Sequence, residues 1–211
     1  MMGRVSIIRG IYTGGPVACN AYLLEGAEGW LLVDAPAGTA AWLKKHLPEG
    51  AALKHLLITH QHFDHVQGAA EVQQLTGCTI HAAMPHSTAL TLEDMAQGRG
   101  MPPVAAYTVN DAFGTADRSA DWGGSAWKIF SIPGHATDGV AYYHAASQEL
   151  FVGDILFAGA VGRTDFPKGS MSALIGGIRS KLLPLPPETR VYSGHGPATT
   201  IGEEAAGNPY L

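Results

Sequence analysis
Short stretches rich in apolar residues dominate the chain. They fall at 5–9, 20–25, 30–33, 53–58, 79–82, 126–132, 140–144, 149–152 and 190–193. Stretches of this length predict strands, and the fully apolar Trp30-Leu31-Leu32-Val33 predicts one buried on both faces. Helical segments separate them. One spans 40–47 and is closed by Pro48. A second spans 69–75, opened by Gly68 and stopped at Gly77. A third starts at Pro85 and fades near residues 98–100, and a fourth spans 170–183, closed by Pro184. Proline in a first turn and glycine past a last turn are ordinary helix punctuation. The alternation predicts an α/β protein whose sheets are covered by helices. Residues 98–124 carry Pro102-Pro103 and scattered Asp and Gly, and predict a long irregular excursion. No repeat, low-complexity tract or linker interrupts the chain, so one domain over 1–211 is expected.

Composition narrows the function classes. Hydrophobic residues make up 46% of the 211 positions and charged residues 15%, enough for a sizeable core. The formal net charge is -5 and no basic run occurs, which argues against a nucleic-acid surface. No apolar run approaches a membrane span, and Met1-Met2-Gly3-Arg4-Val5 lacks the hydrophobic region of a signal peptide. A cytoplasmic protein with a small-molecule partner is expected; nothing sets the oligomeric state. Cys19 and Cys78 are few and far apart, and read as reduced core residues, neither a disulfide nor a metal pair.

The chemistry gathers at strand ends. The strand at 53–58 runs into Thr59-His60-Gln61-His62-Phe63-Asp64-His65, three histidines and an aspartate within six positions. Imidazole and carboxylate suit zinc, iron or manganese. Three further apolar strands end on a glycine and a metal-type ligand: Gly134-His135, Gly153-Asp154 and Gly194-His195. Glycine before the ligand permits a tight turn. Ligands at strand ends from distant parts of a chain can meet on one edge of a layered fold. His60, His62 and His135 are then expected to hold one metal, and Asp64, His65 and His195 a second, with Asp154 bridging them. Asp34 ends its own strand in the same way and is expected to orient a ligand imidazole or the loop. His46, His55, His81, His86 and His144 fit no constellation. Tyr107, Phe113, Trp122 and Met101 in the excursion are read as local packing.

These motifs, spread over nearly the whole chain, resemble the metallo-β-lactamase fold superfamily. The resemblance implies a four-layer αββα sandwich with up to two zinc or iron ions at one edge. Phe151-Val152-Gly153-Asp154-Ile155-Leu156-Phe157-Ala158-Gly159, the run Gly162-Arg163-Thr164-Asp165-Phe166 and the ending Asn208-Pro209-Tyr210 are similar to the glyoxalase II-like group. The Gly-Arg-Thr-Asp-Phe run also resembles the persulfide dioxygenases. True β-lactamases carry a cysteine or serine where Asp154 stands. Ala136-Thr137-Asp138-Gly139 departs from the usual loop after His135. Only sixteen residues follow His195, none of them Lys or Arg, where glyoxalase II has a helical extension with basic residues for glutathione.

The leading expectation is a metal-dependent hydrolase of a small thioester such as a hydroxyacylglutathione. Metal-bound hydroxide would attack the carbonyl carbon, and Asp64 or Asp154 would orient it and manage its proton. Arg163 and Lys168 are candidate partners of a substrate carboxylate, with Arg99 and Arg118 as further cations. The alternatives are a mononuclear iron persulfide dioxygenase using His60, His135 and Asp154, and a non-catalytic metal-binding module.

Overall fold
The structure, a computed structural model, describes residues 6–98 and 100–211; Val5 and Arg99 lie outside the described residues. Two six-stranded sheets face each other. The first is ordered β1 (Ile8–Gly14), β2 (Cys19–Gly26), β3 (Gly29–Val33), β4 (Leu53–Leu57), β5 (Thr79–Ala82) and β6 (Asp111–Ala112). Its last four strands are parallel. The second sheet contains β7 (Arg118–Trp122), β8 (Ser125–Ser131), β9 (Val140–His144), β10 (Glu149–Gly153), β13 (Arg190–Ser193) and β14 (Thr199–Thr200). Its spatial order is β14-β13-β10-β9-β8-β7, with β10 and β13 parallel. A small hairpin, β11 (Leu156–Phe157) and β12 (Ala160–Val161), lies between them in sequence.

Three apolar clusters make the expected αββα layering. Tyr22, Leu24, Leu31, Val33 and Leu57 of one sheet meet Trp127, Ile129, Val140, Tyr142 and Phe151 of the other. On the outer face of the first sheet, Leu43 of α1 (Thr39–His46) and Val72 of α3 (Ala69–Thr76) cover Leu23, Leu32, Leu56 and Ile80. On the far side, Leu174 of α6 (Met171–Gly177) and Ile201 of α7 (Ile201–Gly207) cover Ala141, Tyr143, Val152 and Val191. α6 continues as a π-helical turn over Ile178–Leu182, which buries Ile178 and Leu182 on the same face. Strands packed on both sides are what continuous apolar stretches such as Trp30-Leu31-Leu32-Val33 demand. Among the described residues, no helix is long and apolar enough to cross a membrane.

Several elements differ from the sequence expectation. The excursion at 98–124 contains β6 and β7. β7 is a polar strand that closes on β8 through Gly123 and Gly124, whose φ values of 62° and 74° suit a two-residue hairpin turn. Tyr107, Phe113 and Trp122 pack against the apolar clusters, as read from the sequence. The helix expected from Pro85 is two short pieces, α4 (Thr88–Thr91) and α5 (Glu93–Gln97), because Leu92 turns left-handed at φ 53°. The four-residue α2 (Phe63–Val66) forms inside the histidine-rich loop. α7 starts at Thr200, whose hydroxyl accepts from Glu203 N at 3.2 Å. That is an N-cap with an acid three residues on.

Candidate metal centre
All of the expected ligands follow the carboxyl ends of strands. The loop after β4 carries His60 and His62, and α2 turns Asp64 and His65 inward. His135 follows β8, Asp154 follows β10 and His195 follows β13. Two of the glycines are obligatory. Gly153 sits at φ 51°, and a Cβ there would overlap the Thr59 hydroxyl. A Cβ on Gly194 would overlap the His65 ring and the Asp154 carboxylate. The two sheets are strapped together beside this edge. Asn20 N donates to Gly194 O at 2.7 Å, the Asn20 side-chain amide donates to Ser193 O and Gly196 O, and Tyr22 OH donates to Ser193 O at 2.6 Å.

The structure brings the ligand set together in three overlapping groups. His60, His62 and His135 form one; His60, His65 and Asp154 form another; Asp64, His65 and His195 form the third, joined by Cys19. Within each group the donor atoms lie within 4.8 Å of one another. Asp154 stands between the outer groups, 3.5 Å from His135 Nε2, 3.3 Å from His65 Nε2 and 3.6 Å from His195 Nε2. Asp64 Oδ2 is 3.1 Å from His195 Nε2.

Four imidazoles are oriented the same way by the groups behind them. His65 Nδ1 donates to Asp34 Oδ2 at 2.8 Å, and His135 Nδ1 donates to Arg163 O at 2.8 Å. His195 Nδ1 faces Ala18 O at 3.3 Å. The Thr59 hydroxyl spends its proton on Asp34 Oδ2, which leaves it to accept from His60 Nδ1 at 3.2 Å. Each ring therefore carries a proton on Nδ1 and turns Nε2 toward the centre. His60 Nε2, His65 Nε2, His135 Nε2 and Asp154 Oδ1 are buried without a hydrogen-bond partner. Buried polar atoms left unpaired are costly, and four of them aimed at one another fit a metal centre. The donor set of imidazole and carboxylate suits zinc or iron.

Electrostatics divides the cluster. Burial, aided by neighbouring imidazoles, pushes His60 well below the ordinary histidine range and His62 down to about 3. Burial also lowers His135. These three are neutral at pH 7 and ready to donate lone pairs. Burial opposes the charge of His65 and His195 too, but the nearby anionic groups outweigh it and both are raised. In the same way, His65 and its neighbours overcome burial and hold the Asp64 and Asp154 carboxyls below the usual range.

The cluster forms the floor of a cavity of about 490 Å³. Its walls are largely apolar: Val17, Phe63, Leu92, Met95, Phe157, Val161 and Phe166. Among the described residues, none of 98–124 lines it; the excursion reaches the histidine-rich loop from behind, where Tyr107 OH donates to Gln61 Oε1 at 2.9 Å, and α5 with the preceding Leu92 supplies the cavity wall. Arg163 reaches the cavity, but its Nε donates to Asp165 at 2.6 Å and its guanidinium lies over Phe166. Lys168 lines a neighbouring groove with Leu92, Asp94 and Pro167 and does not line the main cavity. Arg118, on the edge strand β7, lies over Phe113 and does not line the cavity either.

Sequence reasoning missed two contributors, Thr59 and Cys19. Thr59 was visible as part of the loop but not as the link between Asp34 and His60. Cys19 was read as core; it is fully buried, yet it stands beside Asp64, His65 and His195, and burial pushes its thiol up to about 12. His55 and His81 fitted no constellation; they form a chain with Asp111, at 3.0 and 2.9 Å, remote from the ligands.

A family model described as the metallo-beta-lactamase superfamily matches residues 14–195. Hydroxyacylglutathione hydrolase GloC of Haemophilus influenzae is 36% identical, over 91% of this chain and 92% of its own length. The crystal structure of the BLEG-1 B3 metallo-beta-lactamase matches with a TM-score of 0.86 at 31% identity, covering 96% of this chain and 98% of that one. TTHA1623, crystallised in a di-iron-bound form, matches with a TM-score of 0.82 at 34% identity, covering 96% and 100%.

Proposed function
The chain belongs to the metallo-beta-lactamase superfamily, and we propose that it is a metal-dependent hydrolase of small thioesters of the hydroxyacylglutathione type. The observation that carries this reading is the buried cluster of unpartnered Nε2 atoms flanked by Asp64 and Asp154, opening into an apolar cavity. The likeness to GloC over almost the full length of both chains supports the substrate class. His60, His62 and His135 would hold one metal, Asp64, His65 and His195 a second, and Asp154 would lie between. When bound, such ions supply Lewis acidity, which polarises a carbonyl and makes water nucleophilic at neutral pH.

The chain's own groups do the rest. Asp64 and Asp154 both line the cavity and are held ionised, so each can orient a water and take its proton. Asp34, Thr59 and the Arg163 and Ala18 carbonyls fix the imidazoles, which holds the polar floor rigid while a substrate binds. Phe63, Phe157, Val161 and Phe166 exclude bulk water from the reacting carbonyl and receive an apolar acyl or thioether segment. Arg163 at the rim would meet a distal carboxylate.

The likeness to BLEG-1 favours a second reading, opening of a β-lactam amide by the same groups. Steady-state hydrolysis of S-lactoylglutathione and of a chromogenic β-lactam, with and without chelator, separates the two. Chelator-sensitive thioester hydrolysis, restored by zinc or iron, is expected. Preference for the β-lactam would replace the leading reading with the second. An oxygen electrode with glutathione persulfide completes the test: brisk oxygen uptake without thioesterase activity would make the protein a dioxygenase. Metal uptake with none of the three activities would leave a binding module.

A further inference from the structure
Cys19 opens β2, and its side chain faces the metal centre instead of the apolar layer. Its Sγ belongs to one group with the donor atoms of Asp64, His65 and His195, all within 4.8 Å of one another. Donor atoms that share a zinc ion stand roughly 3.5 Å apart, given Zn–S near 2.3 Å and Zn–N near 2.1 Å. The group needs to close by only about 1 Å to take one. The backbone cannot carry the thiol away: Asn20 N is bonded to Gly194 O, and the carbonyl of Ala18 faces His195 Nδ1. Its neighbours on both sides are thus tied to the loop that presents His195. The thiol makes a long contact, 3.6 Å to Asn20 O, and a further polar neighbour is the His65 ring. A second observation points to a ligand at the same spot. His65 Nε2 is wholly buried and has no hydrogen-bond partner. Cys78 makes the contrast. It is also buried and free, but it packs in the outer apolar cluster beside Ile80 and Val72.

We propose that Cys19 is a ligand of the second metal position, adding a thiolate to Asp64, His65 and His195. Binding displaces the thiol proton, which leaves to solvent; the sulfur keeps its electron pair for the metal, and nothing is oxidised or reduced. The two positions then differ in kind. The first is built from imidazoles, whereas the second carries a soft sulfur that favours zinc or cobalt over manganese or magnesium. The proposal rests on the two-metal reading of the centre, but not on the choice of substrate.

Cobalt(II) titration of the metal-free protein tests it. Thiolate coordination to cobalt(II) gives an intense sulfur-to-metal charge-transfer band in the near ultraviolet. The band should be weak at one equivalent, grow with the second, vanish in Cys19→Ser and persist in Cys78→Ser. X-ray absorption on the zinc-loaded parent protein should show a sulfur shell near 2.3 Å. That measurement needs no variant, so it holds even if Cys19→Ser fails to fold. Uptake of two equivalents with neither band nor sulfur shell would overturn the proposal alone, whatever the activity. Uptake that stops at one equivalent would overturn the two-metal reading and this proposal with it, while loss of thioesterase activity beside an intact band would overturn only the substrate assignment.

Discussion

Asp34 Oδ2 lies 2.8 Å from His65 Nδ1, and both side chains are buried at the meeting of β3 and the loop after β4. The same carboxylate accepts from Thr59 N at 2.8 Å and from the Thr59 hydroxyl at 2.7 Å. One side chain thus sets the tautomer of His65 directly and that of His60 through Thr59. Replacing it by Asn keeps one acceptor oxygen for three donors. Asp34→Asn should weaken metal binding by about 10–100-fold, the usual loss when the group behind a ligand imidazole is removed. Competition against a chromophoric chelator measures this. Unchanged affinity would show that packing alone orients His65.

Asp154 touches both halves of the cluster, 3.5 Å from His135 and 3.6 Å from His195. His195 faces Asp64 and Asp154 on the second side and has no place in the group of His60, His62 and His135. Asp154→Ala should therefore lower the metal content of both positions, whereas His195→Ala should lower chiefly the second. Elemental analysis after reconstitution with excess zinc decides between them. Full loading of Asp154→Ala would remove it from its bridging position.

The centre was readable in the sequence because its signal is local. An apolar run followed by glycine and a ligand is a phrase of a few residues, and it recurs at His135, Asp154 and His195. The same holds for the layers, since β3, β9 and β10 carry the continuous apolar stretches Trp30-Leu31-Leu32-Val33, Val140-Ala141-Tyr142-Tyr143 and Leu150-Phe151-Val152. What stayed hidden depends on partners far away in the chain. β7, with Arg118, Ser119 and Asp121, has no apolar period of its own and exists because β8 supplies its hydrogen bonds. Cys19 looks like any small core residue until β2 meets the loop after β13. Asp165 lies two residues from Arg163 in the same run, yet only the fold shows that the two side chains turn toward each other instead of toward a ligand.

That pairing changes what Arg163 can do. Both side chains are exposed, and an exposed pair of this kind exchanges easily with a competing anion. Arg163→Ala should raise KM for an anionic thioester more than it lowers kcat, because a distal clamp contributes to ground and transition states alike. Asp165→Asn should do the opposite, lowering KM by freeing the guanidinium for substrate while leaving kcat unchanged. Steady-state kinetics on S-lactoylglutathione checks both variants. A rise in KM in Asp165→Asn would mean that the pair acts by holding the loop, not by competing with substrate.

Asp138 allows a pH test on a carboxyl outside the proposed ligand set. It is buried; Oδ2 accepts from Gln61 N at 3.0 Å, and Oδ1 has no partner. Burial is the largest influence and outweighs these hydrogen bonds, pushing the carboxyl up to about 6 from an ordinary 3.8. The folded protein therefore holds a proton there that the unfolded chain has already released across that window. The stability it contributes is fully present below pH 3.8 and is lost as pH rises through about 6. A shift of roughly two units corresponds to at most about 3 kcal/mol. Asp138→Asn keeps the acceptor for Gln61 N and cannot ionise. Its absolute stability also depends on whether the new amide finds a partner, but its slope does not. Asp64 and Asp154, held low, give the reverse slope in both proteins and cancel in the comparison. Denaturant unfolding at several pH values between 4 and 7 should show the parent losing stability relative to the variant by up to about 3 kcal/mol. Parallel curves would mean that Asp138 is ionised in the folded protein throughout that range.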